Sequence, residues 1–328
     1  MAFETRTAFS PGHITGFFQI YNHPGLSQKG SIGGGIVLNK GIYTTVTPFE
    51  GEGETVVYLN GEKKAAALSS ELQIKDLSDF SIAPPNVILA VISELSFSYE
   101  QKYGSSFHFK IEERSALPVG SGFGLSAAGA LGTAYALNSA LNLGLSNKVL
   151  AETAHRAEVL TGSGLGDAAG EFAGGLAVRE KPGLLYGKSY SLPLSKAELQ
   201  KTIYCLPLGE LSTKSVISDE SLTQKINQFG HNALCGFLNE PNLKNFMKES
   251  LYFTKNVGLM SPDAESIIDQ INESCGMAAQ AMLGNTVFAI SSDEDNADER
   301  LLDLMQEFGD VYECKIETNG PHVCLSAF

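Results

Sequence analysis

The chain has 328 residues, 43% hydrophobic and 18% charged, with 34 Gly, 12 Pro and no Trp. That composition excludes a fibre or a disordered tail and fits a folded protein of about two domains. The 23 Lys and Arg stand against 37 Asp and Glu, a net charge of −14, and a field of that sign repels nucleic-acid backbones and anionic lipid surfaces alike.

The five cysteines are odd in number, widely spaced and free of any C-x-x-C pair, so they read as reduced thiols. The longest oily stretch, NVILAVISELSF from Asn86, carries Glu94 and falls well short of the roughly 20 residues a membrane span needs. With no apolar signal core near Met1, a cytoplasmic location is expected.

In chain order, TAFSP, GFFQIYN, GIVLNKGIYTTVTPF and TVVYLNG predict strands, as does SFHFKIEE, where Phe107, Phe109 and Ile111 alternate with polar residues. A helix is predicted from Asn86 to Tyr99, started by Pro84-Pro85, with Val87, Leu89, Val91 and Leu95 at mostly helical intervals. Two more follow over 125–142 and 146–160, the second with Ser146 as N-cap. The turn-rich KPGLLYGKSYSLPLS marks a domain boundary between 1–188 and 189–328. Beyond it come strand TIYCLPL, helices over 219–239 and 241–257, a helix from Pro262 to about Leu283, strand NTVFAI, a helix over 296–308, and strands VYECKIE and HVCLSAF. This order predicts an α+β chain.

The segment from Pro118 to Ala130, PVGSGFGLSAAGA, leads from a strand into an Ala-rich helix. Gly120, Gly122 and Gly124 free the backbone for positive φ and close approach, and the new helix aims its unpaired N–H groups and positive dipole end the same way. That is an anion cradle of the phosphate-binding kind. A glycine-rich turn serving only helix packing fits the same residues. No G-x-G-x-x-G occurs, and the GLLYGKS segment from Gly183 is one residue short of a Walker loop.

A second segment, AHRAEVLTGSGLGDAAGEFAGG from Ala154, puts His155 and Glu158 on one helix face, then breaks at Gly162 before Asp167. Glu158 and Ser126 are hard oxygen donors suited to Mg²⁺ on a nucleotide, which takes one or two protein ligands. Asp167 is free to accept or orient the proton of an attacking hydroxyl. The bland alternatives are a solvated Glu158 paired with Arg156, a helix-capping Asp167 and a packed His155. Ser31 in KGSIGGGIVL leaves room for a small molecule, and Arg179 in GGLAVRE offers a planar fork to a carboxylate or phosphate, or is a surface charge.

The ordered triple SPGHITGFF, PVGSGFGLSAAGA and CGMAAQAMLGNTVFA resembles the three motifs of the galactokinase, homoserine kinase, mevalonate kinase and phosphomevalonate kinase (GHMP) superfamily, over nearly the whole chain. Phe123 and Leu125 depart from its middle motif. Within the superfamily, PGHITGFF, GSIGGGIVL, AHRAEV, TGSGLGD and AMLGNTVFA are most similar to the archaeal pantoate kinases.

The resemblance implies a two-domain α+β fold, the N-terminal domain like ribosomal protein S5 domain 2 and the C-terminal one ferredoxin-like, with the active site between them. It implies ATP phosphates on Pro118, Gly120, Ser121, Gly122, Gly124, Leu125 and Ser126, Mg²⁺ on Ser126 and Glu158, and Asp167 as the catalytic carboxylate. Ser31, His155 and Arg179 fall at substrate positions, and Gly284, Asn285 and Thr286 would close on the site from the second domain. His13 stands where many superfamily members have a lysine, so that lysine's role does not transfer. The expected reaction is ATP-dependent phosphorylation of pantoate to 4-phosphopantoate on the way to coenzyme A. The competing readings are the same machinery on a homoserine- or mevalonate-class acceptor, and a nucleotide-binding regulator without turnover. The resemblance leaves a homodimer open.

Overall fold

In the computed structural model, which describes residues 4–72, 86–104, 106–184, 187–209 and 219–325, the first strands are longer than the sequence pattern predicts. TAFSP and GFFQIYN are one strand, β1 (Arg6–Tyr21), because the pairing with β2 (Gly30–Glu50) shifts register at Pro11/Gly12 and at Thr15/Phe17 instead of ending. Proline and glycine here mark bulges, which bend a strand without terminating it. β2 then pairs with two further strands. Its first part, Gly33–Ile36, pairs with β6 (Leu176–Lys181), and its later part, Ile42–Glu50, pairs with β5 (Phe107–Ser115).

β3 (Glu54–Leu59) runs parallel to β5, and β4 (Glu62–Leu68), which the sequence reading missed, closes a hairpin with β3. β7 (Lys188–Leu192), also missed inside the turn-rich stretch, pairs with β6, and β12 (His322–Val323) returns to β1. The result is an eight-stranded sheet. The helices α1 (Val87–Tyr103), α2 (Leu125–Ala140) and α3 (Asn147–Thr161) form its main core, with Leu89, Leu131, Tyr135 and Leu150 buried against Val46, Phe109 and Ile111. Asn86 caps α1 by accepting the Ile88 N–H at 2.8 Å; Pro84-Pro85 lie outside the described residues. Ser146 caps α3 as expected.

After the short helices α4 (Asp167–Ala173) and α5 (Lys196–Gln200), β8 (Thr202–Pro207) opens a second, antiparallel sheet with order β11-β8-β10-β9. Its other strands are β9 (Gly276–Gln280), β10 (Thr286–Ser291) and β11 (Tyr312–Lys315). It carries α6 (Glu220–Asn239), α7 (Leu243–Val257), α8 (Pro262–Ser274) and α9 (Ala297–Gln306). The helix expected to reach Leu283 therefore stops at Ser274, and Gly276–Gln280 is a strand. The helix-favouring Ala278 and Ala279 are overruled because the backbone of that run pairs with β10. VYECKIE is a strand only over Tyr312–Lys315; of HVCLSAF only His322–Val323 pairs, and residues 326–328 are outside the described part.

An aromatic seam joins the two sheets. Phe17 of β1 lies 5.7 Å, centre to centre, from both Phe237 of α6 and Phe246 of α7, and Phe246 reaches Phe288 of β10 at 6.3 Å. Among the described residues no helix is long and apolar enough to cross a membrane.

Candidate active site

Between β5 and α2 the chain turns on Gly120 (φ 82°), Gly122 (φ 94°) and Gly124 (φ 66°), backbone angles that favour glycine. Gly124 is the N-cap of α2, and no side chain caps that helix. Its first-turn N–H groups and dipole are thus open to an anion. A cavity of about 140 Å³ lies there, lined by Gly120, Gly122, Gly124, Leu125 and Ser126. Val119, Phe123, Ser163, Asp167, Met282 and Leu283 complete its wall.

The loop is pinned from both sides. The His13 N–H donates to the Phe123 carbonyl at 2.9 Å, and the Thr286 hydroxyl donates to the Ser121 carbonyl at 2.6 Å. A Cβ on Gly122 would stand 2.9 Å from the Gly284 Cα, so the two glycines pack backbone to backbone. Gly284 and Thr286 do close on the loop, whereas Asn285 accepts a hydrogen bond from Ser261. Pro118 and Ser121 are not among the lining residues. Leu283, beside the cavity, holds φ 62°, a strained value for a branched side chain.

A second cavity of about 380 Å³ shares Val119, Leu125 and Ser126 with the first. Its walls are Ile42, Val57, Leu59, Val87 and Ile88, with Lys64, Asn86 and Glu113 as polar groups.

Behind the loop lies a group of ionisable side chains. Asp167, the first residue of α4, accepts from His13 Nδ1 at 2.9 Å and from the Thr15 hydroxyl at 3.2 Å, both on Oδ1. Its side chain is 24% exposed, while His13 is fully buried and Arg179 is 1% exposed. Arg179 Nη1 lies 3.3 Å from His13 Nε2. Burial alone would raise the Asp167 carboxyl, but the His13 hydrogen bond, the positive field of Arg179 and the Thr15 hydroxyl outweigh it and hold it below the usual range.

Glu158 and Glu171 go the other way. Burial, aided by the negative charge of Asp167, pushes both carboxyls well above the ordinary value. Glu158 also accepts the Ala168 N–H at 3.1 Å, whereas neither Glu171 oxygen has a hydrogen-bond partner. One ionised carboxylate therefore faces one guanidinium, and the other two carboxyls favour their neutral forms.

Glu158 is not a solvated face, for it is 1% exposed and Arg156 pairs with Glu94 at 3.6 Å instead. Nor is Arg179 a surface charge. Ser31 is buried beside it: a Cβ on Gly166 would meet the Ser31 hydroxyl and come within 3.3 Å of Arg179 Nε, which has no hydrogen-bond partner. His155, also buried, donates from Nε2 to the Lys29 carbonyl at 3.0 Å, leaving Nδ1 unpartnered. Ser126 and Asp167 thus face the small cavity, while Ser31, His155, Glu158 and Arg179 do not line it.

Sequence reasoning missed Thr15, Ser163, Glu171 and Leu283. Glu171 left a signal, since it stands four residues after Asp167, one helical turn on, in a run otherwise of small and apolar residues.

Residues 86–175 match the family profile of the GHMP kinases N-terminal domain. The chain is 32% identical to the pantoate kinase of Methanocaldococcus jannaschii over 288 residues, covering 87% of this chain and 93% of the relative. It is 31% identical to the pantoate kinase of Thermococcus kodakarensis over 320 residues, covering 96% and 97%. Among solved structures it is similar to a phosphotransferase related to the coenzyme A biosynthesis pathway, with TM-score 0.80 and 28% identity over 98% of this chain and 99% of that one. A homoserine kinase from Cytophaga hutchinsonii, at TM-score 0.67 and 16% identity over 99% of each chain, shares the fold. With relatives this similar over nearly their whole length, the chain belongs to the pantoate kinase family of the GHMP kinases.

Proposed function

We propose that this chain transfers the γ-phosphoryl group of ATP to the primary hydroxyl of pantoate, giving 4-phosphopantoate on the way to coenzyme A. The observation that carries this reading is that the Asp167 carboxylate opens into the same small cavity as the uncapped N-terminus of α2. The pantoate kinase relatives support the acceptor. The backbone N–H groups from Gly120 to Ser126, with Pro118 shaping the turn, hold the phosphates, and the adjoining cavity with its apolar walls takes the nucleoside.

Ser126, on the cavity wall, and Glu158, behind it, are the hard oxygen donors that would hold a divalent cation. The Glu158 carboxyl, pushed toward its neutral form by burial and by Asp167, sits in a negative field that a cation relieves. Mg²⁺ bound there with ATP supplies charge neutralisation on the phosphates. Asp167, ionised, orients the attacking hydroxyl and takes its proton. Phosphoryl transfer through a loose transition state asks more for position and charge than for a strong base. Arg179, Ser31 and His155 bind the acceptor, the guanidinium meeting the pantoate carboxylate.

We divide the chain into 1–188 and 189–328, with β7 carrying the first sheet's pairing past that point to Leu192. We place the protein in the cytoplasm, working on two small molecules and not on nucleic acid or membrane, with a homodimer as the assembly to test.

The experiment is ADP release with MgATP against pantoate, homoserine, mevalonate, galactose, shikimate and glycerate, with the product identified by mass. Turnover with pantoate and one added phosphoryl group is expected. Turnover with another acceptor instead would discard the roles given to Ser31, His155 and Arg179.

A further inference from the structure

We infer that His13 is a positioning residue: as a neutral ring protonated on Nδ1, it fixes the Asp167 carboxylate to Arg179 on one side and to the glycine loop on the other. This rests on Asp167 being the group that meets the acceptor's hydroxyl.

The tautomer follows from the partners. A guanidinium only donates, so Arg179 Nη1, 3.3 Å from Nε2, requires that nitrogen to be the acceptor. The single ring proton is then on Nδ1, where it donates to Asp167 Oδ1 at 2.9 Å. A second proton would put a cation beside Arg179 in a fully buried place, and burial lowers the His13 pKa. The Thr15 hydroxyl reaches the same oxygen at 3.2 Å, so both contacts take Oδ1 and leave Oδ2 for the acceptor.

The surroundings are shaped for the ring. A Cβ on Gly35 would collide with Nε2, and one on Gly170 would come within 2.6 Å of it. β2 and α4 thus both present glycine to the His13 side chain. Its backbone carries the second link, because the His13 N–H holds the Phe123 carbonyl of the glycine loop at 2.9 Å. One residue therefore sets the spacing between the phosphate cradle and the carboxylate, where errors of about 1 Å are costly to rate. It does so with no net charge, which distinguishes it from a lysine at the same place.

The test compares three substitutions. His13→Ala removes both side-chain bonds. His13→Asn keeps an N–H close to the position of Nδ1, and His13→Gln reaches instead toward Nε2. His13→Ala is expected to lower kcat by about 10²-fold with KM for ATP within about threefold, and His13→Asn to recover at least about tenfold of that loss while His13→Gln does not. In an Asp167→Asn background, His13→Ala should cost kcat nothing further, because the two act as one unit.

A kcat for folded His13→Ala within threefold of the unsubstituted protein, or an equal loss in the Asp167→Asn background, would overturn the inference. If Asp167→Asn itself turns over normally, the reading of Asp167 fails whatever His13 does. Should His13→Ala not fold, the order of Asn over Gln decides the same question. Ring-nitrogen NMR of the unsubstituted protein tests the tautomer without any folding risk: a proton on Nδ1 alone supports the inference, and a proton on Nε2 at pH 7 overturns it.

Discussion

The glycine loop and the ionisable group behind it, which reaches the small cavity only through Asp167, are built by opposite means. The loop is backbone, made of three glycines at positive φ and an uncapped helix end, and what it offers an anion is N–H groups rather than side chains. The group behind it is all side chain: His13, Glu158, Glu171 and Arg179 are 0–1% exposed, and His13, Arg179 and the Thr15 hydroxyl hold the Asp167 carboxyl below its usual range while two other carboxyls favour the proton. The difference matches the roles proposed for the two regions. A triphosphate enters and leaves each cycle and needs many equivalent donors, whereas one reacting hydroxyl needs one carboxylate in one charge state at one place.

The sharpest way to break this comparison is Asp167→Asn, which keeps the shape and removes the charge. Turnover should fall by about 10³-fold or more, while KM for ATP changes only a fewfold, as single-turnover and steady-state rates will show. A loss shared equally between the two would mean that the carboxylate serves nucleotide binding and that the two regions are not separate.

Gly122→Ala tests the other side. At φ 94° the new methyl strains the backbone and stands 2.9 Å from the Gly284 Cα, pushing apart the loop and the second sheet's turn. KM for ATP should rise by about tenfold, with a smaller fall in kcat and a lower unfolding temperature. An unchanged KM would show that the loop's position relative to Gly284 does not matter to the nucleotide.

How much of this was legible in the sequence follows the same division. The loop could be read because its physics is local: glycine spacing, a strand before it and an Ala-rich helix after it all lie within a few turns of chain. Ser126 and Asp167 lie in separate segments, and the chemistry of a metal-bound nucleotide and the family resemblance, not local pattern, put them at one site. The contacts around Asp167 could not be read, since His13 and Thr15 lie 154 and 152 residues away from it and meet it only because β1 runs beneath α4. Burial decided the rest. Arg179 and Glu158 look solvated in isolation, and nothing in their spacing says that α3, β2 and β6 enclose them. In the fold, β9 was hidden because an Ala-rich run takes its structure from the strand beside it, and β1 was split because bulges and turns use the same residues.

The smallest effect separates burial from charge pairing. Glu113 on β5 is also buried, at 7% exposure, and burial pushes its carboxyl from 4.5 up to about 8. Its folded value is thus above its unfolded one, the opposite of Asp167. Between pH 4.5 and about 8 the native state holds a proton there that the unfolded chain has lost. The stabilisation is complete below pH 4.5, declines as pH rises and is gone once the folded carboxyl ionises near pH 8. Each pH unit in that window removes up to about 1.4 kcal/mol. Glu113→Gln mimics the neutral form and does not titrate, so denaturant unfolding of the nucleotide-free protein should show the variant gaining on the unsubstituted chain from pH 6 to pH 8 and holding a constant difference above it. Parallel stability curves across that range would mean that Glu113 ionises in its place without cost. Burial could then no longer be the reason that Glu158 and Glu171 favour their protons, and the charge of Asp167 would have to supply it.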